Sequence, residues 1–223
     1  RIEAFTGVRL PIISIFENQT IEGLSERIEA ESNNEYYPIP KAEEKTHYLM
    51  SSVQKRMYVI NEIESNGIAY NMPGVLKVDG EISLEKVQNV FEQLIQRHEA
   101  LRTSFHMHNG EAIQKIEERV EFTIEHEFVG QSKSIEEILS TFVRPFDLNE
   151  APLLRLKVVQ LGRNENLIMI DMHHIISDGM SVNILANEFS ILFNNGVLEE
   201  LKVQYKDYSE WMRTRDVSHQ RDY

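Results

Sequence analysis

The sequence predicts an α/β fold, layered in the α+β sense, with a mixed sheet flanked by helices. Three observations carry that expectation. Extended segments and segments of helical period interleave along the 223 residues. Asn109-Gly110 sits between two extended pieces, the dipeptide that best closes a tight hairpin. "LLRLKVVQL" (153–161) and "NLIMIDMHH" (166–174) are two strands separated by the short polar turn Gly162–Glu165. Tight connections of this kind exclude a purely parallel sheet.

The elements follow in order. In "VRLPIISIFENQTIEGLSERI" (8–28), Thr20 is placed to cap a short helix whose apolar residues are Ile21, Leu24 and Ile28. One or two such helices bury too little to form a core alone. The polar, proline-containing stretch 31–45 reads as a linker. Residues 51–65 are helical, with Val53, Met57, Ile60 and Ile63 on one face. A strand follows at 74–80. Ser83 then caps a helix with the stripe Leu84, Val87, Val90, Phe91, Leu94, Ile95 and His98. The hairpin spans 101–116, and "FTIEHEFV" (122–129) alternates as a strand does. A helix is expected over 134–143, and two more at about 181–194 and 205–214.

Composition excludes several classes. Hydrophobic residues make up 41% and charged residues 26%, which is globular. The net charge is −13 with the basic residues scattered, so neither nucleic acid nor an anionic membrane surface is an expected partner. Apolar runs such as Leu167–Ile170 are far too short to span a bilayer. The chain opens at Arg1 with no basic-then-apolar leader, so no signal peptide is expected. With no cysteine there is no disulfide scaffold, thiolate zinc site or thiol nucleophile, which fits a cytoplasmic protein.

The chemistry concentrates in "MIDMHHIISDGMS" (169–181). Alternation along a strand puts Ile168, Ile170, Met172 and His174 on one face and Leu167, Met169, Asp171 and His173 on the other. The two imidazoles diverge, so they do not form a metal site, whose ligands must converge. A satisfied core pair is one reading. The strand-end position, the Asp178-Gly179 turn and the helix after it favour a site where histidine moves a proton. Gly179 suits a positive-φ turn, and its N–H is a candidate oxyanion donor. Ser177 reads as a helix cap rather than a nucleophile.

"MHHIISDGMS" resembles the HHxxxDG signature of the condensation domains of non-ribosomal peptide synthetases, within the superfamily of chloramphenicol acetyltransferase. Three further segments resemble that family's motifs in the same order: "SSVQKRMYVI" (51–60), with Val53 where Ala is usual; "RHEALRTSF" (97–105), in full; and "YKDYSEWM" (205–212), departing at Ser209 and Met212. Residues 8–28 resemble the end of a peptidyl carrier domain, LPxxxIFExPTIxxLAxxI, with Asn18-Gln19 as the departure. The expected organisation is therefore a carrier remnant (1–30), a linker (31–45) and a condensation-domain N-terminal lobe (46–223), a chloramphenicol-acetyltransferase-like lobe without its C-terminal partner lobe.

The resemblance implies amide formation between a donor peptidyl or aminoacyl thioester and an acceptor aminoacyl thioester, of the type that joins two L residues. It implies His174 as the catalytic residue, acting as general base or by orienting the acceptor amine, with His173 structural. Asp178 is the loop anchor, paired with Arg97 or, failing that, Arg102. No cofactor binds directly. Substrates arrive on the phosphopantetheine of carrier domains, and the attachment serine lies outside this chain. Partners are the donor and acceptor carrier domains, the C-terminal lobe and an adenylation domain. A non-catalytic carrier-binding scaffold and a stand-alone coenzyme A- or carrier-dependent acyltransferase are the alternatives. Other residues read as structural: Tyr205, Tyr208 and Trp211/Met212 as a core-facing stripe, Gln54 and Arg56 as exposed or structural, His98 as a satisfied core histidine.

Overall fold

In the computed structural model, residues 12–32, 39–64, 67–129, 134–162 and 164–214 are described, with Thr6, Val8 and Leu10. The chain divides into two compact units, Arg1–Ile39 and Pro40–Tyr223. In the first unit, α1 (Ile12–Glu17) and α2 (Ile21–Ser32) are the described helices. Thr20 caps α2 as expected, its Oγ1 accepting from the Gly23 N–H at 3.1 Å.

The second unit runs β1 (Tyr48–Leu49), α3 (Ser52–Ile63), β2 (Asn71–Asp79), α4 (Leu84–Arg97), a 3₁₀ turn (Glu99–Arg102), β3 (Thr103–His108), β4 (Glu111–Ile116), β5 (Glu125–Phe128), α5 (Ile135–Phe142), β6 (Leu154–Gly162), β7 (Glu165–His173), α6 (Gly179–Phe193) and α7 (Tyr205–Thr214). The strands form a three-stranded sheet, β1-β4-β3, and a four-stranded sheet, β2-β7-β6-β5. The second is mixed: β5 runs parallel to β6, while β2, β7 and β6 pair antiparallel. The β3–β4 hairpin turns at Asn109 (φ 51°) and Gly110 (φ 82°), both in the left-handed region that a tight hairpin requires.

β7 lies between β2 and β6, so both its edges are paired, and its alternation sends side chains into two cores, one on each face. Met172, with the half-buried Ile168 and Ile170, packs in the larger core against Leu154, Leu156 and the α4 stripe. Leu167 and Met169 pack in the smaller core with Val159, Ile138 and Phe142. α4 follows the predicted stripe: Val87, Val90, Phe91, Leu94 and Ile95 are buried and Ser83 caps it.

Three elements differ from expectation. β2 begins at Asn71, not residue 74. It is an edge strand, so the missing N–H of Pro73 costs no ladder bond. α3 buries the predicted face only in part: Met57 is buried and Ile60 half-buried. Val53 and Ile63 are exposed, and Gln54, Met57 and Tyr58 are buried. A capping box decides this: Ser51 Oγ accepts from the Gln54 N–H, and Gln54 Oε1 accepts from the Ser51 N–H at 2.9 Å. The aromatic stripe of α7 does not face the core. Tyr205, Tyr208 and Met212 are exposed, and the buried residues are Asp207 and Ser209. Both are satisfied: Asp207 accepts from the Ala42 and Gln204 N–H groups, and Ser209 Oγ donates to the Leu49 carbonyl.

Candidate functional site

β7 ends at His173, and the chain turns before α6. The divergence of the two histidines therefore comes from the strand's end as well as from its alternation. His173 still docks by its N–H to the Leu153 carbonyl on one side, while the His174 N–H reaches the Tyr70 carbonyl on the other. His173 is buried, its ring packed near Tyr70 and edge-on to Phe146. Its Nδ1 accepts from the Ile175 N–H at 3.1 Å. Burial, with the adjacent His174 adding to it, pushes His173 down to about 4, so it is neutral at pH 7.

His174 is exposed. Its Nδ1 lies 2.8 Å from the Ser177 carbonyl, an atom that can only accept. In the neutral ring Nδ1 therefore carries the hydrogen, and Nε2 keeps its lone pair for a substrate. His174 lines a cavity of about 290 Å³. All four motif segments contribute to its wall: Val53, Gln54 and Met57; Glu99, Ala100 and Thr103; Ser177 and Asp178; Tyr205 and Lys206. The Tyr205 hydroxyl is 2.9 Å from Ser51 Oγ and ties α7 to the α3 cap. A lone nitrogen base over a mostly apolar cleft is an arrangement suited to orienting an amine and taking its proton.

The predicted Asp178 pairs are not formed. Asp178 is the N-cap of α6: its Oδ1 accepts from the Ser181 N–H at 2.7 Å and from the Ser181 hydroxyl at 2.6 Å. Those two bonds, and more weakly the nearby His174, hold its carboxyl below the usual range. Asp178 thus does anchor the loop, but through a local cap. Arg97 instead pairs with Glu188 of α6, Nε to carboxylate at 3.2 Å, and His98 Nε2 reaches the same carboxylate at 2.6 Å. Arg102 donates to the Glu117 carbonyl and lies 3.8 Å from Glu99. Ser177 is buried and does not cap the helix, because Asp178 holds that position. Gly179 has no positive φ; it simply opens α6.

Sequence reasoning missed Glu188 as the partner of Arg97 and His98. Its spacing from Leu185 and Leu192, as the one charged residue of that helix, was the available signal. It also missed the support behind the histidines. Asp171, fully buried, accepts from Asn71 Nδ2 at 2.7 Å and lies 3.5 Å from Arg155. Arg155 stacks 3.6 Å over Phe146, whose ring meets His173. Burial pushes the Asp171 carboxyl up and the Arg155 guanidinium down to about 10, so the arginine remains charged at neutral pH. Among the described residues no group of three or more His, Asp or Glu could hold a metal ion. No helix among them is long and apolar enough to cross a membrane.

The neutral His173 gives a pH prediction. Its folded value near 4 lies below the unfolded 6.5, so between these the unfolded chain binds the extra proton. Stability is full above pH 6.5 and falls by about 3 kcal/mol on acidification to pH 4. Asp171, raised by burial, works in the opposite direction. His173→Asn keeps an acceptor for the Ile175 N–H but does not titrate. The wild-type melting temperature should fall more steeply than the variant's between pH 6.5 and 4; equal slopes contradict the buried neutral imidazole.

Comparison with known proteins gives the family. The family model described as condensation domain matches residues 44–223. The chain belongs to the condensation-domain family. It is 47% identical over 213 residues to bacitracin synthase 3 of Bacillus licheniformis, covering 96% of this chain and 3% of that protein. It is 38% identical over 218 residues to gramicidin S synthase 2 of Brevibacillus brevis, covering 96% of this chain and 5% of that protein. Among solved structures, the starter condensation domain of rhizomide synthetase superposes with a TM-score of 0.68 at 16% identity, over 80% of this chain and 48% of that one. The X-domain from teicoplanin biosynthesis gives 0.72 at 17% identity, over 84% and 42%. These likenesses establish the chloramphenicol-acetyltransferase-like α/β fold. The chain spans under half of the solved condensation domains it matches and a small part of each synthetase.

Proposed function

We propose that this chain is the N-terminal lobe of a condensation domain that forms amide bonds in non-ribosomal peptide synthesis, joining two L residues. The free Nε2 of His174, over a cavity walled by all four motif segments, supports this reading most strongly. The acceptor's α-amine attacks the donor thioester carbonyl. Nε2 orients that amine and takes its proton, the C–S bond breaks, and the donor's carrier thiol leaves with a proton. Donor and acceptor arrive as thioesters on phosphopantetheine arms of carrier domains, beside a C-terminal lobe and an adenylation domain. Residues 1–30 are the end of a carrier domain, 31–45 a linker, and 46–223 the lobe. The synthetase works in the cytoplasm.

Residues 1–223 by themselves are read as a binding half-site, because they span under half of the rhizomide synthetase condensation domain and of the teicoplanin X-domain. The test uses loaded donor and acceptor carriers, with dipeptide read by mass spectrometry. The complete two-lobed domain should give dipeptide, and the 223-residue chain should give none. Product from the 223 residues alone would overturn the half-site reading. Absence of product from the complete domain would overturn the amide-forming one.

A further inference from the structure

The cavity under His174 shares a wall with a second, larger space of about 760 Å³, lined by Gln96, Leu192, Val197, Leu201 and Val203 among others. Two residues alone border both spaces among the described residues: Glu99 and Lys206. They form an ion pair at 2.9 Å, with both side chains 17% exposed. Glu99 stands on the 3₁₀ turn, held by its N–H to Gln204 Oε1 and by its carbonyl, which accepts from Thr103 Oγ1. Lys206 stands at the start of α7, 5.4 Å over the Tyr48 ring. Each member thus has a fixed base on a different element, and the pair borders both spaces.

The pair is a poor stabiliser. Glu99 Oε2 is buried with no hydrogen-bond partner, and a buried pair with an unmatched oxygen recovers little of its desolvation cost. Its position explains more than its energy does. We infer that the Glu99–Lys206 pair is the end wall of the His174 cavity and limits the length of acceptor side chain that the site accepts. This rests on the amide-forming reading above. An acceptor amine held at Nε2 sends its side chain into the cavity, where the chain's far end meets the pair. A short linear side chain stops before the wall. A long one has to displace a charged pair, at a cost that appears in kcat/KM.

The test uses the complete condensation domain with a fixed donor carrier. Acceptor carriers are loaded with a linear series from alanine through norleucine to 2-aminodecanoic acid. The wild type should lose at least about tenfold in kcat/KM from the shortest to the longest acceptor. Glu99→Ala/Lys206→Ala removes both members of the pair together, which costs less than loss of one, and leaves Arg102, 3.8 Å from Glu99, held by the Glu117 carbonyl. It joins the two spaces, and the loss should shrink to within about threefold. Glu99→Leu/Lys206→Met refills the wall with apolar bulk and should restore the wild-type profile.

An alanine variant with the wild-type profile overturns the inference. So does a refilled variant that accepts long chains as well as the opened one. Should the alanine variant lose its cooperative melt, the wild-type series still decides, because a flat profile overturns the inference without any variant. Product with a flat profile removes this inference alone. No product from the wild type with alanine removes the amide-forming reading first.

Discussion

Replacing His174 with alanine in the complete domain should lower amide formation by at least about a hundredfold and leave the fold intact. The ring is exposed, and its one hydrogen bond goes to the Ser177 carbonyl, so little stability depends on it. On the proposed mechanism the loss comes from the reaction, because among the described residues lining the cavity His174 is the one imidazole. Product by mass spectrometry and melting by circular dichroism separate the two effects. His173→Ala is the contrast. It removes a fully buried ring packed on Tyr70 and Phe146 and should destabilise the fold by about 3 kcal/mol, so its activity falls with its folded fraction. A His174→Ala domain that condenses normally would remove His174 from the mechanism.

Glu188→Ala should cost about 3 kcal/mol, because it leaves Arg97 and His98 facing a vacated, mostly buried site. Asp178→Ala removes only a helix cap and should cost about 1 kcal/mol. Measured by urea denaturation, the order decides which acid holds Arg97. If Asp178→Ala destabilises by about 3 kcal/mol or more and Glu188→Ala does not, the Arg97–Glu188 pairing is wrong. Glu188→Gln should recover part of the loss, since an amide oxygen still accepts from the Arg97 Nε–H.

The difference between these two acids shows what the sequence makes legible. The hairpin at Asn109-Gly110, the α4 stripe and the caps at Thr20 and Ser83 depend on residues a few positions apart, and each is visible as a local pattern. So is the contrast between His173 and His174, because a strand's alternation and its end are local too. Arg97 and Glu188 are 91 positions apart and meet only because α4 packs on α6. No spacing rule brings them together, and Asp178 stood out because it lies in the recognisable segment. The inward face of α7 was misjudged for a related reason. Aromatic residues at helical spacing suggest a core face, but Asp207 and Ser209 found backbone partners in Ala42, Gln204 and Leu49, which only the folded chain supplies. Gln54 is buried on the same terms. The four motif segments are legible one by one, and their convergence on one cavity is a product of the fold.

The proposed mechanism depends above all on the free Nε2 of His174 meeting the acceptor inside that cavity. An affinity label probes this contact directly. Bromoacetyl-pantetheine places an alkylating carbon where the acceptor's aminoacyl group would sit, and the complete domain is treated with it, digested and mapped by tandem mass spectrometry. One alkylated residue is expected: His174, modified on Nε2 and protected by a loaded acceptor carrier, with the buried His173 untouched. Labelling that spares His174, or that falls on it with no protection by the acceptor, would contradict that role.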